Sequence, residues 1–265
     1  MLKRSKNYTE LSGEQMSWIT ILLVGLVICA ASVMEAITGF GSGIISMPFL
    51  AVLIGLKTAV PMTMVISVIF TTYMLITNYK NVAWRVYFII IGFVIIGLPI
   101  GIFVFSYFNE KSLKLILGIF ILTFALRALY RTKYPGKANH SSAYGVFQRI
   151  MLIMGGIAQG AFATGGPFIV IYSADKIKEK SMFRATMSCV WLTLNTILII
   201  KNFYLGGIMT KQVFTSVIAA IPFFIIGTVI GLKLHKKVSI KAFTLMINIV
   251  LLAAGISTIM WVVLH

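Results

Sequence analysis

Several uninterrupted apolar runs in this chain are about 20 residues long, enough to cross a hydrocarbon core of about 30 Å as a helix. A chain built from such runs must satisfy its backbone inside each segment, because lipid offers no hydrogen bonds. The sequence therefore predicts an all-α polytopic membrane protein. Composition agrees: 59% of the 265 residues are hydrophobic and only 11% are charged, against about 25% charged in an ordinary soluble domain. Strand-like alternation is absent and the runs are too long for the strands of a membrane barrel.

Two of the runs are interrupted. Gly39-Phe40-Gly41-Ser42-Gly43 breaks the first and is followed by Pro48-Phe49, and Gly160 to Thr164-Gly165-Gly166-Pro167-Phe168 breaks a later one. Glycine is poor inside a helix and permits unusual backbone. Paired interruptions at matching places in two halves point to a transporter binding site.

The first half reads as Trp18 to Thr38, the break, then Ile44 to Gly55, Thr58 to Tyr79, Val86 to Phe108 and Ser112 to Tyr130. The second reads as Phe147 to Ala163, the break, then Pro167 to Ala174, Phe183 to Tyr204, Val213 to Leu234 and Ile240 to Leu264. A polar tail over residues 1–17 precedes the first repeat, residues 18–130. A basic connection over residues 131–146, with the turn signal Lys133-Tyr134-Pro135-Gly136-Lys137, leads into the second repeat, residues 147–265. Three anchors recur in order: Pro48-Phe49 with Pro167-Phe168, Lys80-Asn81 with Lys201-Asn202, and Gly97-x-x-x-Gly101 with Gly227-x-x-x-Gly231. Each half holds an odd number of crossings, so the second repeat is expected to be inverted and both termini to share one side. Assigning basic residues to the two sides gives fifteen on one and eight on the other; the positive-inside rule then places both termini outside. The first apolar run is too long for a cleaved signal core and is expected to be retained.

The net charge of +17 does not indicate nucleic acid, because the basic residues are spread over many short connections, where topology and anionic lipid require them. The partners expected are the lipid bilayer and a small anionic substrate. Cys29 and Cys189 both fall in apolar segments without metal-like spacing, so no disulfide is expected. Trp18, Trp84 and Trp261 lie at segment ends, as interface anchors do, whereas Trp191 lies inside a segment and reads as packing. The duplicated Gly-x-x-x-Gly motifs allow close packing within one chain or across a homodimer.

Gly39-Phe40-Gly41-Ser42-Gly43 with Pro48, then Gly160, Gly165-Gly166-Pro167 and Phe183-Arg184-Ala185-Thr186, together with Ala59, Thr63 and Ser67, resemble the TauE/SafE sulfite exporter family. The resemblance covers about residues 18 to 260 and includes the duplicated layout. It implies a carrier of sulfur-containing anions, sulfite or organosulfonates, in a cell membrane. Ser42 interrupts the consecutive glycines common in the family's first motif.

An oxyanion needs donors and positive potential. Free N–H groups at a helix start supply both, with about half a positive charge from the dipole. The candidate substrate-binding residues are Gly39, Gly41, Ser42, Gly43, Thr63, Ser67, Thr164, Gly165, Gly166 and Asn195, with Ser42 and Thr164 offering hydroxyl donors. Thr63, Ser67 and Thr71 share one helical face, and Ser188 and Asn195 belong to the equivalent helix of the other half. Glu35 is the one acid well inside an apolar run, and an intramembrane acid is a functional candidate by default; proton coupling is the role considered, against a structural carboxyl beside the break. An enzyme is not expected: no catalytic pair lies in the helices, and His140, His235 and His265 fall near loops or the end. Neither metal nor cofactor is expected, since no zinc-like pair or phosphate loop is present. An anion channel or a membrane scaffold without transport remain as alternatives.

Overall fold

A computed structural model describes residues 17–133, 142–202, 210–234 and scattered positions between 249 and 263. Among these residues the secondary structure is helical. The elements are α1 (Trp18–Thr38), α2 (Ser42–Leu53), α3 (Leu56–Asn78), α4 (Trp84–Tyr107), α5 (Glu110–Lys133), α6 (Ser142–Phe162), α7 (Gly166–Lys176), α8 (Lys180–Lys201) and α9 (Lys211–Leu234), with a 3-10 turn at Tyr79–Asn81. The segment expected over 240–264 lies largely outside the described residues, as do the tail before residue 17, the turn at 134–137, Trp261 and the three histidines. The connection expected over 131–146 is helical at both ends, because α5 runs on to Lys133 and α6 already begins at Ser142.

Five of the described helices are long and apolar enough to cross a membrane: α1, α3 with its 3-10 extension, α4, α8 and α9. Their outward faces carry large apolar side chains, including Leu22, Leu26, Ile96, Phe103, Ile218 and Ile226. A soluble protein avoids such continuous apolar exposure, and a bilayer covers it. Trp18 and Trp84 are exposed at helix starts, where interface anchors belong. Cys29 and Cys189 are both free thiols.

The main packing pairs join the two halves. α1 lies on α9 and α4 lies on α6, while α3 packs on α8. Exchanging the halves converts the first pair into the second and maps the third onto itself. The small residues explain the closeness. A Cβ on Gly97 would lie 2.0 Å from the Ile153 carbonyl oxygen, and one on Gly101 2.1 Å from that of Ile157. From the α6 side, a Cβ on Gly156 would lie 2.1 Å from the Val94 carbonyl oxygen and one on Gly160 2.5 Å from that of Leu98. In the other pair, a Cβ on Gly227 would lie 2.3 Å from the Cys29 carbonyl oxygen and one on Gly231 2.6 Å from that of Val33. Both Gly-x-x-x-Gly motifs are thus used within one chain, each against the first helix of the opposite half. Backbones pressed this close gain dispersion contacts that lipid chains cannot match, which holds membrane helices together in the absence of a hydrophobic drive. Polar ties add to this: the Ala83 N–H donates to Thr186 Oγ1 at 2.9 Å, and the Tyr87 and Thr193 hydroxyls share a bond of 2.8 Å.

Gly156→Ala forces a methyl group into the Val94 carbonyl. We expect a loss of about 1–3 kcal/mol, the usual cost of overpacking, read as a lower unfolding midpoint in detergent. Gly92→Ala on the facing α4 meets nothing within 4 Å and should not lower the midpoint.

Candidate functional site

The first break forms because α1 ends on Gly39 in the left-handed region (φ 82°), whose N–H returns to the Glu35 carbonyl, and because Gly41 (φ 101°) turns the chain into α2. L-residues with a side chain resist both conformations. The α2 start has no side-chain cap, so the Ser42, Gly43 and Ile44 N–H groups lack intrahelical partners. The second break is built differently. α6 ends at Phe162, and the positive φ falls on Ala163 (φ 54°) rather than on a glycine. Gly165 and Gly166 are right-handed or helical, and Pro167 sits in the first turn of α7, where its missing N–H is harmless.

The two breaks touch. A Cβ on Gly43 would lie 2.4 Å from the Ala163 carbonyl oxygen, so only glycine admits this approach. One cavity lies between the breaks and the third helices of both halves. Its walls are the α2 start (Gly41 to Ile44), the second break with the α7 start (Ala163, Thr164, Gly166 and Pro167), Glu35 and Gln159 from α1 and α6, Thr63 and Ser67 from α3, and Trp191 and Asn195 from α8. The volume open to the centre of a water-sized sphere is ≈ 30 Å³, space for about two waters.

Of the residues singled out in the sequence, Gly41, Ser42, Gly43, Thr63, Ser67, Thr164, Gly166, Asn195 and Glu35 line this cavity. Gly39 and Gly165 stand behind it. Gly39 is covered by Arg184, whose Cγ lies 2.8 Å from where a Cβ would be, and the neighbouring Phe40 ring meets Phe183 edge-on at 6.1 Å. The Phe183-Arg184 pair of the second half thus clamps the break of the first. Thr71 and Ser188 are buried but do not line the cavity. Trp191, read from the sequence as packing, does both: it is buried in an apolar cluster and closes one wall.

Gln159 escaped the sequence reading, and it organises the polar wall. The Gly165 N–H donates to Gln159 Oε1 at 3.0 Å, Gln159 Nε2 donates to Asn195 Oδ1 at 2.8 Å, and Asn195 Nδ2 donates to Ser67 Oγ at 3.0 Å. The backbone donor fixes the sense of the whole relay, because it makes Oε1 the acceptor. Ser67 receives at the far end and keeps its own proton to donate. The Thr164 hydroxyl is 2% exposed and has no hydrogen-bond partner. Thr63 is different: its hydroxyl donates back to Ala59 and Val60 carbonyls at 3.0 and 2.9 Å. The Ser42 side chain, expected to offer its hydroxyl to a ligand, also neighbours the Glu35 carboxyl group, and its backbone N–H is a further group that can meet an anion.

The arrangement gathers donors: two helix starts, the Thr164 hydroxyl and the end of the Gln159 relay. Glu35 is the exception, a carboxyl group 3% exposed and, among the described residues, in no ion pair. Two unit negative charges about 5 Å apart repel by about 3 kcal/mol at an effective dielectric constant of about 20. An anion in the cavity would therefore be held more tightly with Glu35 neutralised.

Gln159→Leu leaves the Gly165 N–H and the Asn195 carbonyl oxygen unpaired in a buried site. Each such group costs about 1–3 kcal/mol, so this variant should lose several degrees in unfolding midpoint, while Gln159→Glu, which keeps an acceptor for Gly165, should lose less.

The chain is 24% identical over 184 residues to the probable inner membrane transporter protein TsaS of Comamonas testosteroni, an alignment that covers 68% of this chain and 74% of that protein. No solved structure matches it. The family description sulfite exporter TauE/SafE matches residues 23–258. With nearly the whole helical layout inside that match, the chain belongs to the TauE/SafE sulfite exporter family of multi-pass membrane transporters.

Proposed function

We propose that this chain is a secondary carrier in which two inverted repeats move one small sulfur-containing anion, sulfite or a compact organosulfonate, by alternating access. The observation that carries the reading is the contact between the two breaks. It brings the starts of α2 and α7, one from each half, to one cavity. Each start contributes a dipole end and unpaired N–H groups suited to an oxyanion. The cavity suits a four-atom oxyanion better than a bulky sulfonate. Glu35, Gln159, Thr164 and Asn195 are each no more than 3% exposed, which fits the narrow buried site of a carrier better than an open channel. The relative from Comamonas testosteroni is named as a transporter, and the family is named for sulfite export. The pairing of α1 with α9 and of α4 with α6 is what a two-fold relation between repeats produces. With fifteen basic residues on one face and eight on the other, we place both termini outside. Uncoupled anion movement then favours export, by about 2.3 kcal/mol per charge per 100 mV of inside-negative potential.

The test is counterflow of radiolabelled sulfite in proteoliposomes, with sulfate, chloride, sulfoacetate and isethionate as competitors. We expect saturable exchange that sulfite competes for best. Thr164→Val removes one hydrogen bond to a charged ligand, worth about 1.5–3 kcal/mol, and should weaken apparent affinity about 10- to 100-fold. Exchange by none of these anions, in protein shown to be folded, contradicts the reading. A reporter fused at either terminus and active only in the cytoplasm should stay silent.

A further inference from the structure

Behind the shared cavity lies a second, smaller one, and the two have Glu35, Ser42, Thr63 and Ser67 in common. It adds Ser32 and Ser46, with Ile28, Ala31 and Ile66 as its apolar walls. Its volume is ≈ 10 Å³ by the same water-sized measure, about one water or one bare small ion.

Several of the hydroxyls here share a property, while Ser67 keeps a proton to donate. Ser46 donates its proton to the Ser42 carbonyl at 2.8 Å, Thr63 donates to Ala59 and Val60 carbonyls, and the Ser42 side chain is engaged with Glu35. With their protons committed, these oxygens have only lone pairs left to offer. An anion finds little there beyond the Ser67 proton. A hard cation finds several neutral oxygens and one carboxylate. No group of three or more His, Cys, Asp or Glu exists among the described residues, so a transition metal or a multiply charged ion is poorly matched; one carboxylate balances one positive charge. The break contributes in the same sense. α1 ends beside Glu35, and the C-terminal end of a helix favours cations as the N-terminal end of α2 favours anions. Discontinuous helices in transporters use their two ends in this way.

We propose that the smaller cavity is a sodium site, in which Glu35, Ser42, Ser46 and Thr63 hold a dehydrated Na⁺ that neutralises Glu35 and so admits the anion next to it. The part concerning the anion rests on the proposed carrier function; the site itself rests on the oxygen set. A proton alone would neutralise Glu35 as well, but it needs neither the cavity nor the ring of lone pairs. Coupling to Na⁺ would remove the net charge of a monovalent anion and let a sodium gradient drive uptake against the membrane potential.

The test is thermal unfolding of the purified full-length chain in detergent, titrated with NaCl, KCl or choline chloride at constant ionic strength and chloride at each of several pH values, first without sulfite and then with it. We expect a saturable rise in midpoint with Na⁺ alone, absent with choline, and a sulfite affinity at least about fivefold tighter in Na⁺, within the usual range of coupling between sites. Ser46→Ala, which touches only the smaller cavity, should raise the half-maximal Na⁺ concentration about tenfold; Glu35→Gln should abolish the Na⁺ response. Equal midpoints in Na⁺ and choline overturn the site, as does an unchanged Na⁺ titration in folded Ser46→Ala protein. A midpoint that follows pH and ignores Na⁺ assigns the neutralisation to a proton and also overturns it. The two readings separate cleanly: a Na⁺ response without any sulfite response upholds the cation site and removes the anion function, whereas a sulfite response without any Na⁺ response does the reverse.

Discussion

Opening a helix inside a bilayer strips backbone groups of partners that the surroundings cannot replace, and the rest of this structure follows from how that need is met. At the first break, left-handed glycines return one N–H to the Glu35 carbonyl and leave the α2 start bare. At the second, the Gln159 side chain takes the Gly165 N–H and passes the constraint across α8 to Ser67 on α3. The α2 start and the unpaired Thr164 hydroxyl line one cavity. On the proposed function, a ligand with oxygen acceptors would supply there what lipid does not.

The breaks can meet because small residues bring the supporting helices close. Gly97 and Gly101 let α4 settle on α6, and Gly227 and Gly231 let α9 settle on α1. Each pair takes one helix from each half, so the first helix of either half, which carries a break at its end, is gripped by the fourth helix of the other. Gly43 against the Ala163 carbonyl then joins the two ends. Packing of this kind is unforgiving to a methyl group, since backbone rather than a movable side chain stands in the way. The positive φ at Ala163 shows that the second break tolerates strain that glycines absorb in the first.

Much of this was legible in the sequence. The lengths of the apolar runs gave the helices, and Pro48-Phe49 with Pro167-Phe168 aligned the halves. Glycine and hydroxyl positions gave most of the cavity wall, because breaks and intramembrane polar groups are chemically conspicuous. Gln159 was not seen, since a single amide on a helix has no local pattern and its meaning depends on Gly165 and on Asn195, 36 positions away. Trp191 was read as packing because the sequence does not reveal that its ring edge reaches Gly166. The sequence also did not reveal that Ser42 neighbours Glu35 in space, since the two belong to different helices on either side of the break. Sequence spacing did not reveal the second cavity either, since hydroxyl oxygens whose protons are committed look, residue by residue, like ordinary helix-bonded serine and threonine.

The central claim is that both breaks hold one anion between them. Selenite has the shape and charge of sulfite and scatters anomalously, so a crystal structure of the protein grown with selenite locates the ligand without ambiguity. The account predicts a single anomalous peak in the cavity bounded by Ser42, Thr164 and Asn195. A peak at one break only, or at the surface with this cavity empty at saturating selenite, would contradict it.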